Sequence, residues 1–573
     1  MTTPPLIRRR AVPEPCGDWP DAFAPLLRRL HAARGAGGAH QAQPKLAQLP
    51  PPDALGGLEP ATTLLMQAIT QGRHIVVVGD FDCDGATACA VAVRALRMLG
   101  AARVTPAVPN RVAHGYGLSP ALVEALAALQ PDLLLTVDHG IACHAGVAAA
   151  RARGWQVVVT DHHLPGDALP EADAIVDPNL RGDVFPCKAL AGVGVVFYVL
   201  LALRARLRQA GHLADPPPDL GVLLDLVAVG TVADLVPLDT TNRALVSAGL
   251  RRLRTGQGSA GLRALVDVAG CREATLTAQD IAFRIAPRIN AAGRLEDMAL
   301  GIECLLCDDP RQARELAQVL HDINAQRQGV QQDMVDDAEA MLPAFDADAP
   351  LPHALCLHDA RWHPGVVGLV ASRLKERTHR PVVAFAPSAP GSTQLRGSAR
   401  SIPGLHIRDV LAAVDAARPG LIERFGGHAM AAGLTLPLAS LAAFRDAWHA
   451  QVVAVLDPAL LQHELWTDGP LATHEFDRHH AELLRDGGPW GQGYPEPLFD
   501  GVFDVLQWRV VGERHLKLVL RLDGRNAPLD AIRFGGWQGE APPARCRLAY
   551  RLAPDDYRGG DAVQLVVEAL EPA

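Results

Sequence analysis

The sequence lacks any long uninterrupted apolar run. Its most apolar stretch, residues 220–238, contains Asp225 and Asp234, which predicts a buried helix and not one that spans a bilayer. The arginines at 8–10 are followed by Ala-Val-Pro-Glu-Pro, where an export signal would have an apolar core. We therefore expect a cytoplasmic protein without a membrane segment.

Cysteine is sparse and irregularly spaced, and positive charge is not in excess. Of ten cysteines, only Cys304 and Cys307 form a C-x-x-C pair, which we interpret as two small core residues of a helix. The formal net charge of −9 argues mildly against nucleic-acid binding. The distribution of charge matters more than the total, and arginine, which supplies nearly all the positive charge, offers bidentate phosphate contacts.

The length of 573 residues predicts several domains in an α/β multidomain protein. Residues 1–54, rich in Pro, Ala and Gly, predict a loosely packed lead-in, and residues 55–308 alternate strand and helix patterns, which predicts a parallel sheet covered on both faces. Residues 309–345 predict a long, polar connecting helix. Residues 346–457 predict a second, smaller α/β domain, and residues 458–573 a small β-barrel or sandwich.

Acidic residues follow three predicted strands at their carboxyl ends. Residues 79–85 read Gly-Asp-Phe-Asp-Cys-Asp-Gly, Asp138 follows the run 133–137, and residues 161–163 read Asp-His-His. Ligand sites of open α/β sheets lie at this edge, and converging carboxylates repel one another unless cations neutralise them. Oxygen-rich sites with a histidine suit Mn²⁺ or Mg²⁺ better than structural zinc. Two such ions would support phosphoryl transfer to water.

Residues 79–85 also allow two other interpretations. An EF-hand loop begins with the same Asp-x-Asp-x-Asp-Gly spacing, but its twelfth position, counted from Asp80, is Val91 in place of the bidentate Glu. A helix cap or turn remains open for this motif alone. That interpretation weakens once Asp138, Asp161 and Asp234 are counted with it.

These motifs, together with Pro109-Asn110-Arg111 and Thr231-Val232-Ala233-Asp234, resemble in order those of the DHH phosphoesterase superfamily, and most closely its RecJ-type single-strand-specific exonucleases. The resemblance implies that two Mn²⁺ or Mg²⁺ ions are bound, with Asp138 as the bridge and Asp80 assisting. The implied metal ligands are Asp80, Asp82, Asp84, Asp138, His162 and Asp234. The resemblance also implies that Arg111 and His163 stabilise negative charge on the scissile phosphate.

The second α/β unit contains Trp362-His363-Pro364-Gly365, Gly397-Ser398-Ala399-Arg400 and a Gly-Gly-His element at 426–428. Glycine exposes backbone N–H groups that can cradle phosphate, although each segment alone is more often structural. The segments look like the DHH-associated substrate-binding domain. Residues implied to contact the strand or its terminal phosphate are Asn110, Arg288, Asn290, Arg294, Ser398, Arg400, Gly426, Gly427 and His428.

RecJ-type enzymes carry an OB domain where this chain has its β-rich C-terminal unit. Aromatic residues of a small barrel are usually core, but exposed rings near Arg514, His515 and Lys517 would form a stacking platform for a single strand.

The resemblance implies a single-stranded-DNA-specific 5′-to-3′ exonuclease that releases 5′-mononucleotides in repair and recombination. It also implies a monomer that works with a helicase and a single-strand-binding protein. One alternative is a DHH phosphoesterase for short oligoribonucleotides or cyclic dinucleotides. Another is a non-catalytic single-strand-binding scaffold, whose expected signature is lost ligands.

Overall fold

A computed structural model of the chain describes residues 5–13, 17–110, 115, 117–342, 351–537 and 539–573. Arg111, one of the residues implied to contact phosphate, lies outside them. No helix within the described ranges has the length and apolar character needed to cross a membrane. The nine cysteines within the same ranges are free thiols, and Cys304 and Cys307 are buried, as the core interpretation predicts.

The N-terminal segment is followed by a five-stranded parallel sheet with helices on its faces. The segment contains β1 (Leu6–Arg9), α1 (Pro25–Ala32) and α2 (Ala39–Ala42). The sheet unit contains α3 (Leu58–Thr70), β2 (His74–Val78), α4 (Cys83–Met98), β3 (Arg103–Ala107), α5 (Pro120–Leu126), β4 (Leu133–Val137), α6 (His144–Ala152), β5 (Gln156–Thr160), β6 (Ala174–Val176), α7 (Gly192–Gln209), α8 (Leu224–Ala233), α9 (Thr240–Arg254), α10 (Ala260–Val268), α11 (Ala278–Asp280), α12 (Ala286–Leu295) and α13 (Ala299–Leu306).

The strand order of this sheet is β3-β2-β4-β5-β6. Strands β2 and β4 are buried along their whole length, which accounts for their continuous runs of Val, Ile and Leu. The chain leaves β2 toward β3 on one side and later returns to add β4 on the other. Since ligands of open α/β sheets bind where the order reverses, the carboxyl ends of β2 and β4 are the expected site.

A 32-residue helix, α14 (Pro310–Met341), leads from the first sheet unit to the second and lies within the predicted connecting helix of residues 309–345. The second sheet has the order β10-β11-β9-β8-β7, with only the β7–β8 pair parallel. Its elements are β7 (Leu355–His358), α15 (Val367–Thr378), β8 (Val382–Pro387), β9 (Gln394–Arg400), α16 (Ile407–Ala417), β10 (Arg424–Gly427), β11 (Ala431–Pro437) and α17 (Leu441–Val455).

The C-terminal unit is a closed five-stranded barrel of order β13-β14-β15-β17-β16, so the sandwich alternative is wrong. Its longest strand, residues 499–511, bulges between Val505 and Gln507. The elements are β12 (Glu464–Thr467), α18 (Arg478–Asp486), β13 (Phe499–Val511), β14 (His515–Arg521), β15 (Leu529–Arg533), β16 (Arg545–Pro554) and β17 (Val563–Pro572). The α/β multidomain fold class with a terminal barrel is therefore confirmed.

Short helical turns complete the described elements. A π-helical segment spans Ile281–Ile285. The 3₁₀ turns are Leu46–Gln48, Pro52–Ala54, Ala127–Leu129, Leu220–Leu223, Glu273–Thr275, Leu438–Ser440, Pro458–Leu461 and Thr473–Glu475.

The expectation of a loosely packed N-terminal lead-in is wrong. Strand β1 pairs in parallel with β12, more than 450 residues later in the chain. Arg34 binds Asp468 through two hydrogen bonds of 2.8 and 2.9 Å, and both side chains are only 1% exposed. Arg9 binds the buried Asp500 at 2.8 Å. The sequence pattern missed these contacts because they depend on pairing between the two ends of the chain.

Replacing Arg34 with Met should destabilise the packing of the N-terminal segment on the C-terminal unit. The change leaves the buried Asp468 carboxylate without its bidentate partner, which costs about 3–5 kcal/mol of unfolding free energy. The guanidinium unfolding midpoint, followed by tryptophan fluorescence, should fall accordingly. Arg8→Ala is the matched control, because it removes only the exposed pair with Glu464 and should cost about 0–1 kcal/mol. Equal midpoints for the two variants would contradict a structural role for the buried pair.

Candidate metal centre

Carboxylates and imidazoles meet at the carboxyl ends of β2, β4 and β5. Potential ligand atoms form three overlapping groups, and within each group all atoms lie within 4.8 Å of one another. Asp138 belongs to two of the groups and His162 to two, so the groups share one space. The groups are Asp80 with Asp82 and Asp138, Asp84 with His162 and Asp234, and Asp138 with His162 and His163. The structure thus brings together all six predicted metal ligands.

The loop after β2 is held in shape by backbone contacts. Asp82 caps α4 by accepting a hydrogen bond from the Gly85 N–H at 3.1 Å. The helix-cap interpretation of this motif is therefore compatible with the metal-ligand interpretation. A side chain at Gly85 would place its Cβ 2.5 Å from the Asp80 nitrogen. The Cys83 N–H donates to Asn290 Oδ1 at 2.9 Å. Asn290, implied to contact substrate, therefore supports the loop that presents the aspartates.

Asp84 is a fully buried carboxylate that is fixed by the start of α7. Its Oδ2 accepts from the Gly192 N–H at 2.6 Å and its Oδ1 from the Val193 N–H at 3.0 Å. Burial, with the nearby Asp82 charge adding to it, raises the pKa of Asp84 to about 7 despite these bonds. The side chain is therefore held rigidly where a cation would favour its charged form.

Asp138 lies in a strained conformation between the two ligand groups. Its φ of +66° is uncommon for a residue other than glycine, and such strain clusters at functional sites. A side chain at Gly192 would place its Cβ 2.5 Å from Asp138 Oδ1, so only glycine fits there. Burial and the surrounding aspartates raise the pKa of Asp138 well above its usual range. This geometry agrees with the implied bridging position.

Asp161 organises the Asp-His-His turn, a role that sequence reasoning did not assign although the residue begins the motif. It accepts hydrogen bonds from the Ile141 N–H at 2.9 Å, the His162 N–H at 2.7 Å and, at 2.7 Å, from His163 Nδ1. Burial disfavours the charged forms of Asp161 and His163, but the hydrogen bond and the attraction between them have a larger effect on both pKa values. The pKa of Asp161 falls to about 2 and that of His163 rises to about 9.

His162 has the opposite character to its neighbour. Burial, followed by repulsion from the charged His163, lowers the pKa of His162 to about 4, so its imidazole is neutral and can bind a metal. Its Nε2 lies 3.2 Å from Asp138 Oδ1 and 3.5 Å from Asp234 Oδ2. Among the described residues, neither His162 Nε2 nor Asp138 Oδ1 has a hydrogen-bond partner, although both atoms are buried. Buried lone-pair atoms without hydrogen-bond partners, clustered with carboxylates, fit a pair of divalent cations.

The second α/β unit reaches this centre through two contacts. The His428 ring stacks on the His163 ring with centroids 6.0 Å apart and an interplanar angle of 17°. Arg294 Nη1 donates to the Gly365 carbonyl at 3.3 Å, which links α12 to the Trp-His-Pro-Gly loop. The Gly-Gly-His element therefore lies beside the Asp-His-His turn.

The other residues that were implied to contact the substrate strand differ in their burial and in their contacts. Arg400 donates to Ser398 Oγ at 2.7 Å, and its guanidinium is largely buried with no carboxylate partner in the described part of the chain. A Cβ added at Gly426 would meet open space, and the next residue, Gly427, has a φ of +141°. Arg288 instead contacts His321 on α14 at 3.1 Å. Asn110 is half-buried at the end of the stretch that follows β3.

The stability gained from Mn²⁺ should grow with pH. In the metal-free protein the raised pKa of Asp84 contributes stability that is present below its unfolded value near 4 and is lost as the pH rises through about 7. Mn²⁺ replaces the lost protons, so it should raise the thermal midpoint more at pH 8 than at pH 6. Differential scanning fluorimetry at both pH values measures the effect. Asp138→Asn is the control and should lose most of the Mn²⁺-dependent gain. An equal gain at both pH values in the unaltered protein would contradict the proton linkage.

Known proteins match the chain along most of its length. Three family descriptions match in succession: the N-terminal domain of the DHH family over residues 74–231, the DHHA1 domain over 352–454 and the RecJ OB domain over 467–569. The single-stranded-DNA-specific exonuclease RecJ of Dickeya dadantii is 48% identical over 573 residues, which cover 99% of each chain.

Two solved structures have the same architecture. The crystal structure of Thermus thermophilus RecJ in complex with Mn²⁺ superposes with a TM-score of 0.78 at 35% identity, over 96% of this chain and 76% of that one. The corresponding Mg²⁺ complex gives 0.73 at 33% identity, over 96% and 75%. With its three overlapping ligand groups at the sheet edge and this full-length similarity, the chain belongs to the RecJ family of single-stranded-DNA-specific exonucleases.

Proposed function

We propose that the protein is a metal-dependent exonuclease that hydrolyses the phosphodiester bonds of single-stranded DNA. The observation that carries this proposal is the convergence of five aspartates and His162 on one space, directly beside His163 and His428. The family to which the chain belongs has this activity. The scaffold alternative predicts lost ligands, whereas all six are present.

The chain's own residues divide the work between metal binding and phosphate binding. Mn²⁺ or Mg²⁺, when bound, supplies Lewis acidity and a template for oxygen atoms. Asp82, Asp84, Asp138, His162 and Asp234, with Asp80, would hold the two ions. The hydrogen bond from His163 Nδ1 to Asp161 raises the pKa of His163 against the effect of its burial, so His163 can offer a positive charge to the scissile phosphate.

The second α/β unit binds the strand end. A guanidinium that is buried without a carboxylate partner favours an anion, and Arg400 is such a group on β9 beside Ser398. Gly426 and Gly427 expose backbone beside His428, where a phosphate can approach closely. Arg294, Asn110 and Arg111 complete the proposed contacts. Polarity from the 5′ end and release of 5′-mononucleotides rest on the family resemblance.

The barrel supplies a surface for the rest of the strand. Trp508 is 42% exposed and stacks on Trp537 with centroids 5.5 Å apart, and Phe534 nearby is 63% exposed. Phe499 and Phe503 are buried in the barrel core instead. Exposed aromatic rings bind successive bases without sequence preference. This surface favours long single strands over the short oligoribonucleotides or cyclic dinucleotides of the alternative function.

Finer aspects of the proposal rest on the family. The proposed domain divisions are 1–54, 55–308, 309–345, 346–457 and 458–573. We propose that the enzyme acts as a monomer in the cytoplasm. In bacteria, such as those that carry its relatives, the DNA substrate is found in this compartment. A helicase and a single-strand-binding protein remain predicted partners for repair and recombination.

Asp138→Asn should abolish hydrolysis and leave binding of a single strand largely intact, because the strand is also held by the second α/β unit and the barrel. Mononucleotide release is followed with Mn²⁺ on long single strands labelled at the 5′ or the 3′ end, with a blunt duplex as control. Release from the 5′ label alone, with the duplex spared, is the expected result for the unaltered protein. Release from the 3′ label first, or cleavage restricted to very short substrates, would favour the alternative phosphoesterase. Normal turnover by the variant would refute the bridging assignment.

Trp508→Ala should weaken binding of long single strands by about 5- to 150-fold, since stacking on one aromatic ring is worth about 1–3 kcal/mol. Fluorescence anisotropy of a labelled oligonucleotide measures the change. Val453→Ala, which shortens an exposed apolar side chain on α17, is the control and should bind normally. Unchanged affinity in the Trp508 variant would rule out this face of the barrel as the stacking surface.

A further inference from the structure

A second group of potential metal ligands lies in the segment that leads into the barrel, and it shares no residue with the centre at the sheet edge. His474, Glu475 and His480 each offer one ligand atom, and these three atoms lie within 4.8 Å of one another. His474 and Glu475 belong to the 3₁₀ turn Thr473–Glu475, whereas His480 lies in the first turn of α18. Two separate elements therefore bring their side chains to one place.

A buried aromatic residue between these two elements anchors them to the barrel. Phe476 is only 1% exposed and stacks on Tyr550 with ring centroids 6.0 Å apart, and it meets Phe503 nearly at right angles. The first turn of α18 is also attached to the barrel, because Arg478 binds Asp556 at 2.9 Å. The potential ligands are therefore carried by ordered backbone, as a precise metal site requires.

The side chains on the 3₁₀ turn are held in position as well. Glu475 Oε2 accepts a hydrogen bond from the Ala472 N–H at 2.7 Å, so the carboxylate can bind a cation through Oε1 while the turn keeps its direction. The His474 ring meets the His480 ring edge to face, with centroids 6.0 Å apart and an interplanar angle of 78°. This geometry leaves both imidazoles close enough to share one ion.

Asp477 selects the tautomer of His480. The His480 Nδ1 donates a hydrogen bond to Asp477 Oδ1 at 2.7 Å, and the same oxygen caps α18 by accepting from the His480 N–H at 2.8 Å. A proton on Nδ1 places the lone pair on Nε2, which is the nitrogen that a metal would take. Metal-binding histidines almost always donate their other ring nitrogen in this way, which orients the ring and raises its basicity.

We propose that His474, Glu475 and His480 form a second metal site, specific for Zn²⁺ or a similar late transition cation, and that Asp477 is its positioning residue. Two imidazoles and one carboxylate suit such cations better than Mg²⁺ or Ca²⁺, which prefer sites made of oxygen alone. Three protein ligands leave a fourth tetrahedral position for water. The ion would tie the 3₁₀ turn to α18 and so stabilise the entry to the barrel. This site is independent of the reaction at the sheet edge.

Zinc binding is tested by isothermal titration calorimetry on the full chain that carries Asp138→Asn, a change expected to weaken binding at the first centre. In this background, His480→Ala and Glu475→Gln should each remove one equivalent of bound Zn²⁺. His479→Ala is the matched control, because it removes an exposed, neighbouring imidazole that is not in the ligand group. An unchanged stoichiometry in His480→Ala, or the same loss in His479→Ala, would refute the site.

Asp477→Asn tests the positioning role without removing a ligand. Asparagine caps a helix as well as aspartate does, so α18 should keep its stability, but the neutral amide no longer supports the His480 tautomer. The affinity for Zn²⁺ should fall by about 10- to 100-fold, and an unchanged affinity would overturn the role of Asp477. Circular dichroism melts without metal show whether each variant is folded. If His480→Ala fails to fold, the affinity of Asp477→Asn decides the question.

Co²⁺ in place of Zn²⁺ reports the coordination geometry. Four-coordinate Co²⁺ absorbs visible light much more strongly than six-coordinate Co²⁺, so a site with two histidines, one glutamate and water should give an intense band. The band should be present in the Asp138→Asn protein and in its His479→Ala variant, and it should disappear in Glu475→Gln. A spectrum that is the same in all three proteins would show that the ion is bound elsewhere and would contradict the proposal.

Discussion

The mutual repulsion of buried carboxylates is the constraint on which the rest of this structure depends. Burial raises the pKa values of Asp84, Asp138 and Asp234, and the charges of neighbouring aspartates raise them further. In the absence of cations this arrangement is unfavourable, because desolvation and like charge both oppose ionisation. The surrounding fold therefore has to hold the groups together against their own electrostatics.

Backbone geometry supplies that restraint. The start of α7 donates two N–H groups to Asp84, and Gly192 is small enough for Asp138 to approach. Asn290, from a helix two hundred residues later, fixes the loop that carries the first aspartates. Because main-chain N–H groups hold Asp82 and Asp84 in place, these two ligands need little reorganisation when ions bind. The strained φ of Asp138 is the cost of that preorganisation.

The Asp-His-His turn shows how one hydrogen bond separates the roles of two adjacent histidines. Asp161 binds His163 and keeps it charged, and that charge in turn favours the neutral form of His162. One imidazole is thereby suited to a metal and the other to a phosphate. His428 of the second α/β unit stacks on the charged ring, so the phosphate-binding surface is shared between two parts of the chain.

The sequence by itself determined the parallel sheet, the placement of the first aspartates and of the Asp-His-His turn at its strand ends, and the long helix α14, because these follow from local periodicity and from motifs that each lie within a few residues. It also identified the family through the order of those motifs. Only the tertiary structure decided that β1 pairs with β12, that Asn290 supports a loop and that His428 stacks on His163. Such contacts join residues hundreds of positions apart, and their formation depends on how whole elements pack, which no local pattern specifies.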